Sequence, residues 1–345
     1  MSKKLLAEWS PQDAIQIAWP HAGTDWARLL ADIESFYYEL VNTLSHQQQV
    51  LIAADPSLDS ERIQAELARR GANLGNVRWF EVATDNTWAR DHGPLTVGDD
   101  AGIELLDFQF NAWGDKYGSS RDNAINRAIE LQGGYGAPLR EVDFVLEGGS
   151  IETDGLGTLL STTTCLLNPN RNGGMKLAEV EARLRQHLGI ERFLWLEHGD
   201  LAGDDTDAHI DTLARFVDAG TIAYVQCNDE TDEHFTALAQ MAAELKRFRM
   251  ANGEPYRLVP LPLPQAITSA SGERLPATYA NFLITNRTIL VPVYGDSADA
   301  QALAALAAVS GERRVVPVNC RTPIEEFGSL HCLTMQLPQG ALSDA

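Results

Sequence analysis

Cys332, in the stretch GSLHCLTMQLP near the end of the chain, has the atom type of a nucleophile. Three polar stretches far upstream carry groups that could serve it. DNTWARDHGPLTV holds Trp88, Arg90, Asp91 and His92, VLEGGSIETDG holds Glu147, and GDDTDAHIDTLARFV holds His209 and Asp211. A thiol, an imidazole and two or three carboxylates form a kit for one reaction type. Carboxylates grip a planar cation through paired hydrogen bonds, as they grip an arginine side chain. A thiolate can attack the central carbon of that cation, and histidine can supply the proton that lets an amine leave. A guanidinium is the obvious electrophile. An amide hydrolase would instead want an oxyanion hole and few buried acids.

Taken singly, each residue also has a plain structural reading. Asp91 before Gly-Pro is a turn cap, Glu147 before Gly148-Gly149 a turn residue, Trp88 a core side chain and Cys332 a small buried hydrophobe. In extended conformation His209 and Asp211 share one face, about 6.5–7 Å apart along the strand. His331, although adjacent to Cys332, would point to the other face of a strand and is expected to be a bystander. The H-x-D spacing lacks a second nearby histidine at ligand distance. The four cysteines (Cys165, Cys227, Cys320, Cys332) show no CxxC pattern, so no metal site is expected and the thiols are read as free.

The elements that must position these groups recur with a rough cadence along the 345 residues. Amphipathic helical segments begin near Leu58, Arg121, Met175, Thr231 and Ser297, and several end in glycine. Asp59 or Ser60, and Asp122, are plausible N-caps. Between the helices lie strand candidates: QVLIAA, VRWFEV, GTLLSTTT, TIAYVQC, NFLITNRTILVPVY and RRVVPV. A further helix, roughly Asp25 to Leu44, precedes the cadence. Periodicity thus predicts about five αβ units and leaves open whether they form a line, a ring or one sheet. No G-x-G-x-x-G or Walker loop is present, and EGGSIETDGLG runs into a strand, which makes it a hairpin signal.

Composition narrows the partners. With 44% hydrophobic and 22% charged residues, the chain is ordinary for a globular protein, and its net charge of −21 disfavours nucleic acid and anionic membrane. An acid-lined cleft would attract a small cation. The start of the chain lacks an apolar run followed by a small-residue cleavage site, and no stretch reaches the length of a membrane span. A cytoplasmic location is expected, and a homodimer is compatible with the sequence.

IAWPHAGTDW, TWARDHGP, FNAWGDKY, EGGSIETDGLGTLLSTTTCLLNPNRN, DDTDAHIDTLARFV, NFLITNRTILVPVYGD and GSLHCLTMQLP follow one another from about residue 16 to 338. In content and order they resemble the agmatine deiminase and bacterial-type peptidylarginine deiminase family, within the guanidine-modifying superfamily. The resemblance implies an α/β fold of the pentein kind, a five-unit αβ-propeller with pseudo-fivefold symmetry, formed as one catalytic domain over 1–345. It implies Cys332 as nucleophile, His209 as general acid and base, Asp91 and Asp211 as the pair holding the guanidinium, and Glu147 and Trp88 as substrate-pocket residues. The implied reaction passes through a covalent thiouronium and needs no cofactor. Agmatine is the expected substrate, because a free-arginine deiminase would need a basic residue for the carboxylate. Arg90 or Arg215 could supply one. Two departures from the family pattern stand near the implied pocket: Phe327 before Gly328, and Glu152 where a histidine is common.

Overall fold

A computed structural model describes residues 3–343 of the chain. The backbone repeats one module, in which a hairpin of two antiparallel strands is followed by a helix and then by a strand parallel to the second. A parallel neighbour requires such a crossover, and the helices whose starts recur in the sequence provide it.

The described residues cluster into two compact units, one containing Ser10–Gly148 and 332–343, the other Lys4–Trp9 and Gly149–His331. In the first unit, Leu95–Asp99 pairs antiparallel with Gly102–Gln109, which runs parallel to Leu139–Val145 after the helix Ile125–Leu131. The second sheet of this unit joins the chain's ends. Met335–Pro338 lies antiparallel to Gln12–Ala18, which is parallel to Gln49–Ala54, itself parallel to Val77–Glu81. The helices Leu30–Ser45 and Ser60–Arg69 make the two crossovers. Asp59 caps the second of them by accepting from the Arg62 amide at 3.0 Å. Ala14, Ala18, Leu51, Phe80, Leu105, Ile125, Ile129 and Leu337 form a buried cluster in this unit. Val50–Ala54 is apolar on both faces because both faces are covered, and Ala14, Ile15, Ile17 and Ala18 are buried beside it.

The second unit contains three such modules among its described residues. They are Glu152–Thr153 with Thr158–Thr162 and Arg192–Leu196, Ala214–Asp218 with Thr221–Gln226 and Arg257–Pro262, and Leu283–Ile284 with Thr288–Val293 and Arg314–Asn319. Their crossover helices are Leu177–Leu188, Phe235–Leu245 and Asp299–Ala307. The hairpin expected at EGGSIETDGLG is present, with Glu152 opposite Leu160.

Three local expectations need correction. The His209–Asp211 stretch is not extended: Ile210–Thr212 forms a 3-10 turn, and the strand begins only at Ala214. Asp122 does not cap its own helix but accepts from the backbone amides of Asp85 and Asn86. His331 lies outside any strand, in the turn before Met335–Pro338.

Candidate active site

In the first unit, one short helix collects most of the candidate groups. Ala89–His92 carries Asp91, and all four of its residues are buried. Its position is set by backbone contacts on two sides. The Arg90 amide donates to the Cys332 carbonyl at 3.1 Å, which places the candidate nucleophile's backbone against this helix. Gly148, which follows Glu147, packs so closely that a Cβ there would lie 2.3 Å from the Arg90 carbonyl oxygen. Asp91, Cys332 and Glu147 are thus brought to one element. Glu147 is fully buried, whereas Cys332 is half-buried and Cys165, Cys227 and Cys320 are buried. Burial pushes the Cys320 thiol up to about 12, away from reactivity.

The far end of the helix is pinned by a buried polar chain. Tyr135 donates to Gln16, Gln16 to Asn126, and the Asn126 amide donates to the His92 carbonyl at 2.6 Å and to Asp107 at 2.7 Å. Trp88 enters the helix and rests against Trp26, with ring centroids 5.8 Å apart. The Trp26 indole in turn donates to the Thr87 hydroxyl at 2.8 Å.

Trp113, in the stretch FNAWGDKY, carries no local signal of a polar role. Its indole nitrogen donates to Asp91 Oδ2 at 2.9 Å. That reach depends on a strained backbone, because Ala112 and Trp113 both have positive φ (47° and 57°), a region that costs non-glycine residues energy. The Asn111 side chain accepts from the Gly114 amide and closes the turn.

In the second unit, His209 immediately precedes the Ile210–Thr212 turn and Asp211 lies within it. The loop before it is over-determined, as a strained site must be. Asp207 and Ala208 have φ of 68° and 65°. Asp204 accepts from the amides of Thr206 and Ala208, Thr162 donates to the Ala208 carbonyl, and Arg171 clamps Asp207 Oδ2 at 2.7 Å and the Thr206 carbonyl at 2.8 Å. Both His209 and Asp211 are buried.

Asp211 meets His331: Nδ1 of the imidazole stands 2.7 Å from Asp211 Oδ2, and Nε2 stands 2.7 Å from Glu8 Oε2. His331 is therefore no bystander. Arg215, fully buried, is bound by Glu152 through Nε at 2.5 Å, by Glu8 through Nη2 at 2.6 Å, and by the Phe282 carbonyl through Nη1. Burial opposes the Arg215 charge, and the carboxylates of Glu152, Glu8 and Asp211 outweigh it, so the guanidinium is held above its ordinary value. Burial pushes the Glu152 carboxyl up against the pull of Arg215. Arg90, the other arginine considered for a substrate carboxylate, donates through Nη1 to the Gln336 side chain at 2.7 Å. Glu8 had no signal in the sequence, since it lies outside every polar cluster and acts through partners more than 200 positions away.

Comparison with known proteins assigns the class. Residues 4–338 match the model of the Porphyromonas-type peptidyl-arginine deiminases, and the chain belongs to that family. Agmatine deiminase of Stutzerimonas stutzeri is 33% identical over 355 residues, covering 96% of this chain and 94% of its own. A crystal structure provisionally assigned as a peptidyl-arginine deiminase superposes with a TM-score of 0.94 at 42% identity, covering 99% of this chain and 100% of its own. The C. jejuni agmatine deiminase, solved as a cysteine-to-serine variant with substrate bound, superposes at 0.89 with 36% identity, covering 99% and 98% of the two chains. A dimethylarginine dimethylaminohydrolase at 10% identity shares only the fold, with a TM-score of 0.51. The α/β architecture of mixed sheets is accordingly related to that of the guanidine-modifying enzymes. No helix among the described residues is long and apolar enough to cross a membrane.

Proposed function

We propose that this protein is an agmatine deiminase, hydrolysing the guanidinium of agmatine to N-carbamoylputrescine and ammonia. The observation that carries the substrate choice is the engagement of its two candidate carboxylate readers. Arg215 is taken by Glu152 and Glu8, and Arg90 by Gln336, which favours a guanidinium whose far end carries no carboxylate. Relatives named agmatine deiminase span nearly the whole chain and support the same choice.

In this reading the catalytic groups are Cys332, His209, Asp91 and Asp211, with Glu147 and Trp88 at the substrate. Asp91 and Asp211 hold the guanidinium and keep its charge in place. The bound cation favours the thiolate of Cys332, whose ordinary pKa of about 8.5 would leave it mostly protonated. Sγ bonds to the guanidinium carbon, and the displaced C–N π electrons move to nitrogen. His209 passes a proton to the departing nitrogen, and ammonia leaves a thiouronium. A water attacks the same carbon and gives one proton to His209; the C–S bond then breaks as the remaining hydroxyl proton passes to solvent, and the neutral ureido product and the thiolate are released. The four hairpin–helix–strand modules, with the sheet that Met335–Pro338 forms with Gln12–Ala18 as a further unit, support a five-unit αβ-propeller.

The test is a substrate panel of agmatine, arginine, an arginyl peptide and methylated arginines, with ammonia and ureido product measured. Highest kcat/KM on agmatine is expected. Preference for the peptide would move the assignment within the family, and no ammonia from any member would remove the deiminase reading.

A further inference from the structure

We infer that His331 is a positioning residue for Asp211, anchored in turn by Glu8 near the start of the chain; the inference rests on the deiminase reading. The imidazole lies between two carboxylates, 2.7 Å from each, and is almost wholly buried. With both ring nitrogens protonated, each contact is an N–H donating to a carboxylate.

The anchor is itself fixed. Glu8 Oε1 accepts from the Ile284 amide at 2.6 Å, and Oε2 accepts from Arg215 at 2.6 Å. Asn281 serves both partners, since its side-chain oxygen accepts from the His331 amide at 2.9 Å and its amide donates to the Asp211 carbonyl at 3.3 Å. Ring and carboxylate thus share one jig, and fixing Oδ2 sets the plane in which Asp211 meets a planar cation.

The charges agree with this role. Glu8, Glu152 and Asp211 face Arg215 and His331. His209 and Arg215 also act on Asp211. Burial alone would raise the Asp211 carboxyl, and the hydrogen bond and charge of His331 hold it below the ordinary range, keeping it ionised for a cation. Glu8, Glu152 and His331 have the spacing of metal ligands, but Arg215 already bonds both of the carboxylates.

Two isosteric substitutions separate positioning from simple packing. The amide of His331→Asn falls near the Nδ1 position and can still donate to Asp211. That of His331→Gln falls near Nε2 and cannot. In full-length protein assayed with agmatine, His331→Gln should lose roughly 10- to 100-fold in kcat/KM, mainly through KM, while His331→Asn stays within about 5-fold of wild type. Equal kcat/KM in the two variants, whether high or low, would overturn the inference. Glu8→Gln should lower kcat/KM in the wild-type background and add little to His331→Asn, whereas full additivity would sever Glu8 from the role. Wild-type protein inactive on every guanidinium substrate would instead remove the deiminase reading, a separate outcome read before any variant.

Discussion

The indole N–H of Trp113 donates to Asp91 Oδ2 at 2.9 Å, from a residue whose backbone is held at positive φ. A strained residue that spends its one polar hydrogen on a candidate substrate-gripping carboxylate is placed there to orient it. Trp113→Phe keeps the ring and removes the donor. We expect kcat/KM on agmatine to fall roughly 10-fold or more, since a hydrogen bond to a charged group is lost. An unchanged value would make Trp113 a packing residue only.

Gly148 admits no side chain. Its Cβ would meet the Arg90 carbonyl oxygen at 2.3 Å and Met335 Cε at 2.8 Å, and the first of these is backbone that cannot rotate away. Gly148→Ala should therefore shift the Ala89–His92 helix. A stability loss of about 1–3 kcal/mol in urea titration is expected, together with reduced kcat because Asp91 moves with the helix. A variant with wild-type midpoint and turnover would show that the segment yields freely.

His92 gives the acid limb of stability a readable slope. Burial lowers its pKa to about 3, and neither ring nitrogen has a hydrogen-bond partner among the described residues. In the unfolded chain it takes up a proton below about pH 6.5. Between these values the unfolded state binds more protons, so stability falls as pH falls, by about 1.4 kcal/mol per unit. His92→Leu removes this contribution. The stability difference between pH 7 and pH 5 should shrink by about 2 kcal/mol in the variant, measured by denaturant midpoints at both values.

The Glu152–Arg215 pair is buried on both sides. Removing Glu152 takes away one of the two carboxylates bonded to Arg215 and leaves Glu8, so Glu152→Ala should cost about 1–3 kcal/mol. Replacing both, as Glu152→Ala with Arg215→Met, should recover part of that loss. Chemical denaturation of the four proteins of this cycle measures the coupling, and additive losses would show that the pair does not act as a unit.

Local features of this chain were legible where the signal is local. The crossover helices, the Asp59 cap and the EGGSIETDGLG hairpin all follow from patterns within a dozen residues. The turn at Ile210–Thr212 escaped because an alternation of polar and apolar residues reads as a strand, whereas the loop clamped by Asp204 and Arg171 enters it from left-handed backbone. Asp122 looked like a cap because caps are local, yet its carboxylate serves amides 36 and 37 residues away. The same limit hid Glu8 and misjudged His331, whose partners lie 323 and 120 positions off. Residue type suggested the chemistry of the candidate site. Who holds whom was written in pairs that no window of sequence contains.

The pairing of Met335–Pro338 with Gln12–Ala18 has a consequence for how the protein comes into being. This sheet contains one of the earliest strands, Gln12–Ala18, and is completed by a strand more than 300 residues later. During synthesis the amino-terminal segments leave the ribosome first and begin to fold while this edge stands open. Cys332 precedes the closing strand by only a few residues, so the thiol emerges together with the segment that seats it. A chain interrupted before Cys332 would lack the candidate nucleophile and leave the edge of Gln12–Ala18 without the partner that Met335–Pro338 provides.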